Sequence, residues 1–200
     1  MDIYYIGGSP CSGKSTIVEI LSKKYDLHYF KVDDFLDKYI KMGASKGYEI
    51  CTKQECMTPE EIWMRDPIIQ CEEELIFYEE IFEFVMADLE QIKGKRIITE
   101  GAAYLPKLMK KIGVPKDRYL SLTPEKDFQM YHYRKREWVS YVLDGCSDKE
   151  KAFLNWMNRD VLFALDVQKQ CEQEQYLSII NDGSMKIDDM VERVEIHLAL

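Results

Sequence analysis

The sequence predicts an α/β fold in which a parallel sheet is covered by helices on both faces. Three observations predict it. Short apolar runs recur at residues 3–6, 28–32, 96–99, 119–122 and 176–180. Between them lie segments of helical periodicity, marked by Ile17, Ile20 and Leu21 early in the chain and by Ile187, Met190, Val191, Val194 and Leu198 near its end. A glycine-rich loop sits where the first strand gives way to the first helix. Strands alternating with helices join through right-handed crossovers, which lays the strands parallel and puts helices over both sides. The 200 residues show no break in composition, so one domain is expected.

After the first strand, Gly8, Ser9, Pro10, Cys11, Ser12, Gly13, Lys14 and Ser15 fit the pattern G-x-x-x-x-G-K-[ST], with Thr16 following as the helix begins. Glycines let the chain curl with backbone N–H groups turned inward, and a helix starting near Lys14 adds about half a unit of positive charge there. The expected ligand is a nucleotide. Lys14 reaches its outer phosphates and Ser15 offers a hydroxyl to magnesium. Glycine and serine also build plain turns, but every fixed position is filled here between a strand and a helix. Cys11 reads as a small filler of the loop.

The second strand, HYFKVDDFLDKY, ends in Asp33 and Asp34. Strand C-termini converge on the ligand crevice of such sheets, so a carboxylate there can take a proton from an acceptor hydroxyl. Asp33 is the expected base, and Asp34 is expected to cap the next helix or to serve the acceptor in a secondary way. A helical insertion is expected over about 43–92, inside a core of about 1–42 and 93–200. Its longest segment, about 59–92, carries apolar residues at 68, 71, 75, 78, 82, 85, 89 and 92. That stripe predicts one buried helix serving the protein's own core, with glutamates 72, 73, 74, 79, 80 and 83 on the remaining surface and Gly94 at its end. Arg65, near Trp63 and Tyr48, is a candidate contact for an anionic or ring-shaped acceptor.

The third strand, KRIITEGAAYLP, ends in Glu100, a carboxylate placed to orient magnesium, and in Gly101, where a sharp turn or a close ligand approach is expected. Tyr104 is a candidate for lining the acceptor pocket, with aromatic packing as the alternative. After the fourth strand, Thr123 and Pro124 read as a helix cap and first turn. The run Arg134, Lys135, Arg136 is the densest positive cluster, and Arg159 follows in NWMNRD. Arg134 and Arg159 are the expected residues to fold over the nucleotide, in a lid of about 128–165, with exposed helix arginines in weak surface pairs as the alternative for any of them. The last strand leads into IINDGS, where Asn181 and Gly183 make a turn that can set backbone groups against a nucleotide base, with plain turn chemistry as the equal alternative.

Composition excludes other classes. A net charge of −9 argues against a protein that grips a nucleic acid polymer, while leaving room for a small anion in a local basic pocket. No apolar run approaches the ~18 residues of a membrane span. The stretch MDIYYIGG lacks a basic region followed by a longer apolar one, so no secretory signal is expected and a cytoplasmic location is. The six cysteines are then expected reduced. Cys51 and Cys56 have no second pair beside them and do not suggest a zinc site.

Together GSPCSGKS, the VDD strand end, ITEG, the RKR segment and the NDGS loop resemble the P-loop small-molecule kinases related to nucleoside monophosphate kinases, a group that includes shikimate kinase, gluconate kinase and chloramphenicol phosphotransferase. The resemblance implies a five-stranded parallel sheet of order 2-3-1-4-5, an acceptor-binding helical region, a mobile lid, and ATP with magnesium. By position, Lys14 and Ser15 match the phosphate and magnesium contacts, Asp33 the strand-end base, and Arg134 the lid. Two departures stand out. Nucleoside monophosphate kinases carry an Asp-Gly-x-Pro-Arg-like run after the third strand, where this chain has Glu100, Gly101, Ala102, Ala103 and Tyr104, and the insertion is long for a shikimate-type enzyme. Phosphoryl transfer to a hydroxyl or phosphate of a small molecule is the expected function, by a monomer or homodimer. The other expectation is an ATP-binding switch without an acceptor; a GTPase is disfavoured because no Asn-Lys-x-Asp run occurs.

Overall fold

The computed structural model describes residues 2–200. Five strands, β1 (Ile3–Gly7), β2 (His28–Lys31), β3 (Ile97–Glu100), β4 (Tyr119–Pro124) and β5 (Leu177–Asn181), pair in parallel in the order β2-β3-β1-β4-β5, the order expected. The register sets Ile6 beside both Glu100 and Leu120, and Gly7 beside Ser121, so the C-terminal ends of β1, β3 and β4 open at one edge.

Side chains alternate across the sheet with the two-residue period of a strand. On one face Tyr4 and Ile6 meet Ile17, Val18 and Leu21 of α1 (Lys14–Tyr25) and the Met190, Val191, Val194 and Leu198 stripe of α10 (Ile187–Leu198). The helices between are α2 (Leu36–Ser45), α3 (Glu49–Cys56), α4 (Pro59–Trp63), α5 (Pro67–Gln91), α6 (Pro106–Lys111), α7 (Lys126–Arg134), α8 (Trp138–Val142) and α9 (Lys149–Glu174). On the other face Tyr5 packs with Phe82, Val85 and Leu89 of α5 and with Phe163 and Val167 of α9. Burying each such side chain contributes about 1.5–3 kcal/mol. A third cluster, off the end of the sheet, joins Trp63, Tyr133, Val139 and Trp156. The long helix α9 belongs to both: its first half holds this cluster and its second half the sheet.

Local chemistry moves two expected boundaries. The segment expected as one helix over 59–92 is two. Thr58 and Glu61 form a capping box that starts α4, and Asp66 then caps α5 by accepting from the Ile68 N–H at 2.8 Å. Pro67 holds Asp66 extended and forbids a helix running through. The helix expected to begin at Thr123 and Pro124 begins later. Both residues lie in β4, paired with Ile180 and Asn181, and the carboxylate of Glu125 caps α7 instead.

Candidate active site

The glycine loop leaves β1 at Gly8, whose φ of +113° needs glycine; a Cβ there would also drive into the Leu122 carbonyl. Gly13, likewise left-handed, precedes α1 and offers no side-chain cap, so the first N–H groups of α1 stay directed at the loop's hollow. Lys14 is buried and arches back to donate to the Ser9 carbonyl at 2.7 Å. The hydroxyls of Ser9 and Ser12 are buried with no hydrogen-bond partner. Orphaned donors, a lysine and a helix start in one cradle suit an oxyanion-rich ligand such as a phosphate chain.

This loop floors a cleft of about 570 Å³, and residues from Pro10 to Thr16 line it. One wall comes from strand ends. Glu100 is 1% exposed, and its Oε1 accepts from the Ser15 hydroxyl at 2.8 Å and from the Tyr29 hydroxyl at 2.9 Å. Burial, followed by the charge of Glu100, pushes the Tyr29 hydroxyl up, so it stays a donor. A hydroxyl and a carboxylate side by side are the hard oxygen donors that suit magnesium. No cluster of three histidine, cysteine or acidic side chains able to hold a metal by itself occurs among the described residues.

Asp33 also lines the cleft, carried there by a short 3-10 turn, Val32–Phe35, directly after β2. Its carboxylate stays open to the cleft, yet the walls remove enough water to raise its pKa, against the pull of Lys14 and with the push of Glu100. Asp34 points elsewhere. It is exposed, faces Lys31 at 4.0 Å, and caps nothing, because Phe35 precedes α2 without a side-chain cap.

The facing wall is built by α7 to α9. Arg136, not Arg134, enters the cleft. Its guanidinium lies 4.7 Å from the centre of the Tyr133 ring and 5.6 Å from that of Trp138, and it donates to the Cys11 sulfur at 3.5 Å. Arg134 ends α7 on the outer side, where it pairs bidentately with Glu150 and lies over Phe153. The chain turns after α7, with the Arg136 N–H bonded to the Tyr133 carbonyl, and that turn separates the two arginines. Their two-residue spacing and the tryptophan just beyond Arg136 were the available signals. Arg159 does reach the cleft, but bound on both sides: it donates to Asp160 at 2.6 Å and to Glu74 at 3.1 Å, beneath the Trp63 ring. Burial works to discharge it and the two carboxylates prevail, holding it charged. Glu74, expected on the solvent face of α5, is thus turned inward, with Tyr78 one turn on.

Four further candidates lie elsewhere than expected. Asn181 stands behind the loop, donating to the Ser12 carbonyl at 3.0 Å while its own oxygen accepts from the Gly183 N–H, so it braces the cradle. Gly183 packs against Phe128, not against the cleft. Gly101 has no left-handed φ; a Cβ there would come within 2.6 Å of Val32, so the glycine serves strand packing. Tyr104 is fully buried, with its hydroxyl on Thr99 and its carbonyl accepting from Tyr119, which is the packing alternative.

A second cavity of about 250 Å³ adjoins the first, and Leu36, Glu74, Tyr78 and Arg159 line both. Arg65 borders it, bonded to Glu73 at 2.5 Å. Tyr48 instead pairs with Glu83 away from it. No helix among the described residues is long and apolar enough to cross a membrane.

No protein-family model matches the sequence, and no curated protein matches it significantly. Solved structures do resemble it along its whole length. A shikimate kinase from Bacteroides thetaiotaomicron superposes with a TM-score of 0.57 at 16% identity, over 100% of this chain and 99% of that one. A protein from Eubacterium ventriosum gives 0.52 at 15% identity, covering 100% and 99%, and TT1252 from Thermus thermophilus gives 0.52 at 13%, covering 99% and 96%. At such identities the likeness is one of fold: with its 2-3-1-4-5 sheet, the chain has the P-loop kinase fold of which shikimate kinase is an example.

Proposed function

We propose that the protein transfers the terminal phosphoryl group of ATP to a hydroxyl of a small molecule. The observation that carries this reading is the convergence of Lys14, Ser15, Glu100, Asp33 and Arg136 on one cleft, floored by a glycine loop and a helix start. In the transfer, Asp33 takes the proton of the acceptor hydroxyl as its oxygen bonds to the γ-phosphorus. The bond from that phosphorus to the β–γ bridging oxygen breaks, and ADP leaves. Lys14 and Arg136 face the charge that spreads over the phosphoryl oxygens, where preorganised cations act most strongly. Ser15 and Glu100 would hold magnesium, which when bound neutralises phosphate charge. Tyr133, Trp138 and Trp156 line the same cleft with aromatic faces, two of them buried.

Incubating the purified protein with γ-labelled ATP, magnesium and a broad metabolite panel tests the proposal. Label is expected on at least one small-molecule hydroxyl. ATP bound tightly with no transfer to any compound would overturn it.

A further inference from the structure

The second cavity carries charges that cancel before any ligand arrives. Its two guanidiniums are already taken, Arg65 by Glu73 and Arg159 by Glu74 and Asp160, while Lys53 adds its ammonium to Glu73 from outside. An incoming carboxylate or phosphate would find no free cation among the described residues that line it and would have to sit among these carboxylates, at a desolvation penalty. Two neutral groups are unsatisfied instead. Gln70 lines the cavity at 3% exposure, and its amide N–H₂ donates to the carbonyls of Arg65 at 2.9 Å and Trp63 at 3.5 Å. Those two bonds fix which way the amide faces and leave Oε1 buried with no donor. The indole N–H of Trp156, which lines the larger cleft and stacks on Trp63 of this cavity, is buried with no acceptor among the described residues. A hydroxyl group satisfies either one; an ionised carboxylate has no proton for Gln70. Aromatic faces make up much of the rest, with Phe77 and Tyr78 on α5 and Trp63 stacked 4.5 Å from Trp156. Flat apolar faces with few polar groups suit a ring that shows C–H on its face and O–H at its rim. The volume of about 250 Å³ lies below the roughly 300–1,000 Å³ of sites for drug-sized ligands, enough for one ring and too little for a nucleotide.

We propose that this cavity takes the phosphoryl acceptor and selects an uncharged, single-ring polyol over its carboxylate counterpart. The inference rests on the kinase reading for the word acceptor, and on the cavity alone for the chemical class.

The test uses matched pairs of cyclic polyols that differ only in –CH₂OH against –COO⁻, such as glucose with glucuronate, galactose with galacturonate and mannose with mannuronate. Binding is followed by tryptophan fluorescence, since Trp63 lines this cavity and stacks on Trp156, which lines the larger cleft with Trp138. In at least one pair the neutral member should bind roughly tenfold or more tightly than its partner. Gln70→Leu should weaken the neutral member by about tenfold, and Glu73→Gln, which frees Arg65, should shift the ratio toward the carboxylate. Thermal melting establishes that both variants fold. Equal or tighter binding of the carboxylates, binding of no member of any pair, or a ratio unmoved by both substitutions would overturn the inference. Label transfer from ATP is measured on the same mixtures. Binding of a neutral polyol with no transfer to it or to any compound of the broad panel breaks the kinase reading and leaves the chemical class standing; preferential transfer to a carboxylate does the reverse.

Discussion

The two cavities differ in how their cations are held. In the cleft above the glycine loop, Lys14 and Arg136 face no carboxylate partner within ion-pair distance among the described residues; Lys14 rests on a backbone carbonyl and Arg136 on aromatic rings and a sulfur. In the adjoining cavity Arg65 and Arg159 are each locked to acids. A cation held by neutral groups keeps its charge available for a ligand, whereas one held by carboxylates has given that charge to the fold. The same residue type thus stays available to a ligand on one side of Tyr78 and serves architecture on the other.

Removing a cation from each side should break the comparison in opposite ways. Lys14→Ala should lower ATP turnover by on the order of 10⁴, the scale of a lost cation at a transferring phosphoryl group, with the thermal midpoint nearly unchanged; steady-state ADP release measures it. Asp33→Asn should lower transfer by about 10³ while leaving ATP affinity intact. Because burial raises the Asp33 pKa above that of a free aspartate, the ionised base is lost early as pH falls, so the wild-type rate should drop through that raised value and the residual rate of the variant should not. The linkage has a definite sign. A carboxyl whose pKa rises on folding stabilises the native state where it is protonated and loses that contribution as pH rises through the folded value. Asp33→Asn should therefore be more stable than wild type at neutral pH, and the difference should vanish below the ordinary aspartate value of 3.8, as chemical denaturation at several pH values would show.

Arg159→Met should reveal the other kind of arginine. It strands the buried Asp160 and Glu74, and a broken buried pair costs about 3–5 kcal/mol, so the denaturant midpoint should fall sharply. The smallest effects separate two neighbours in sequence. Arg136→Ala should reduce kcat by about 10², as expected for one lost donor to developing charge. Arg134→Ala removes an exposed pair worth under about 1 kcal/mol and should leave kcat unchanged. Equal losses for both would return Arg134 to the site.

What could be read from the sequence follows the same division. The glycine loop was legible because its geometry is local: Gly8 and Gly13 need left-handed backbone, and Lys14 and Ser15 sit at the start of the helix those glycines permit. Asp33 and Glu100 were legible because a strand end is a local event and β1, β2 and β3 end together. Arg136 was passed over for Arg134 because a turn, not the composition of the run, decides which side chain faces inward. Glu74 was assigned to solvent because its apolar neighbours mark the buried stripe, and only α9, more than 80 residues away, supplies the arginine that draws it in. Gly101 and Tyr104 carry residue types that suit a ligand site, yet Val32 and Thr99 claim them for packing.

By itself the sequence determined the alternation of strands and helices, the glycine loop ahead of the first helix, and the acids at the strand ends, since each depends on residues a few positions apart and on backbone conformations their side chains permit. The tertiary structure decided which arginines remain free and where Asn181 turns its amide. It also decided that α4, α5 and α9 enclose a ring-sized cavity with a bare carbonyl oxygen on Gln70. Those outcomes depend on which distant carboxylate, aromatic face or backbone carbonyl arrives at the same point in space. Packing sets that, and no local pattern encodes it.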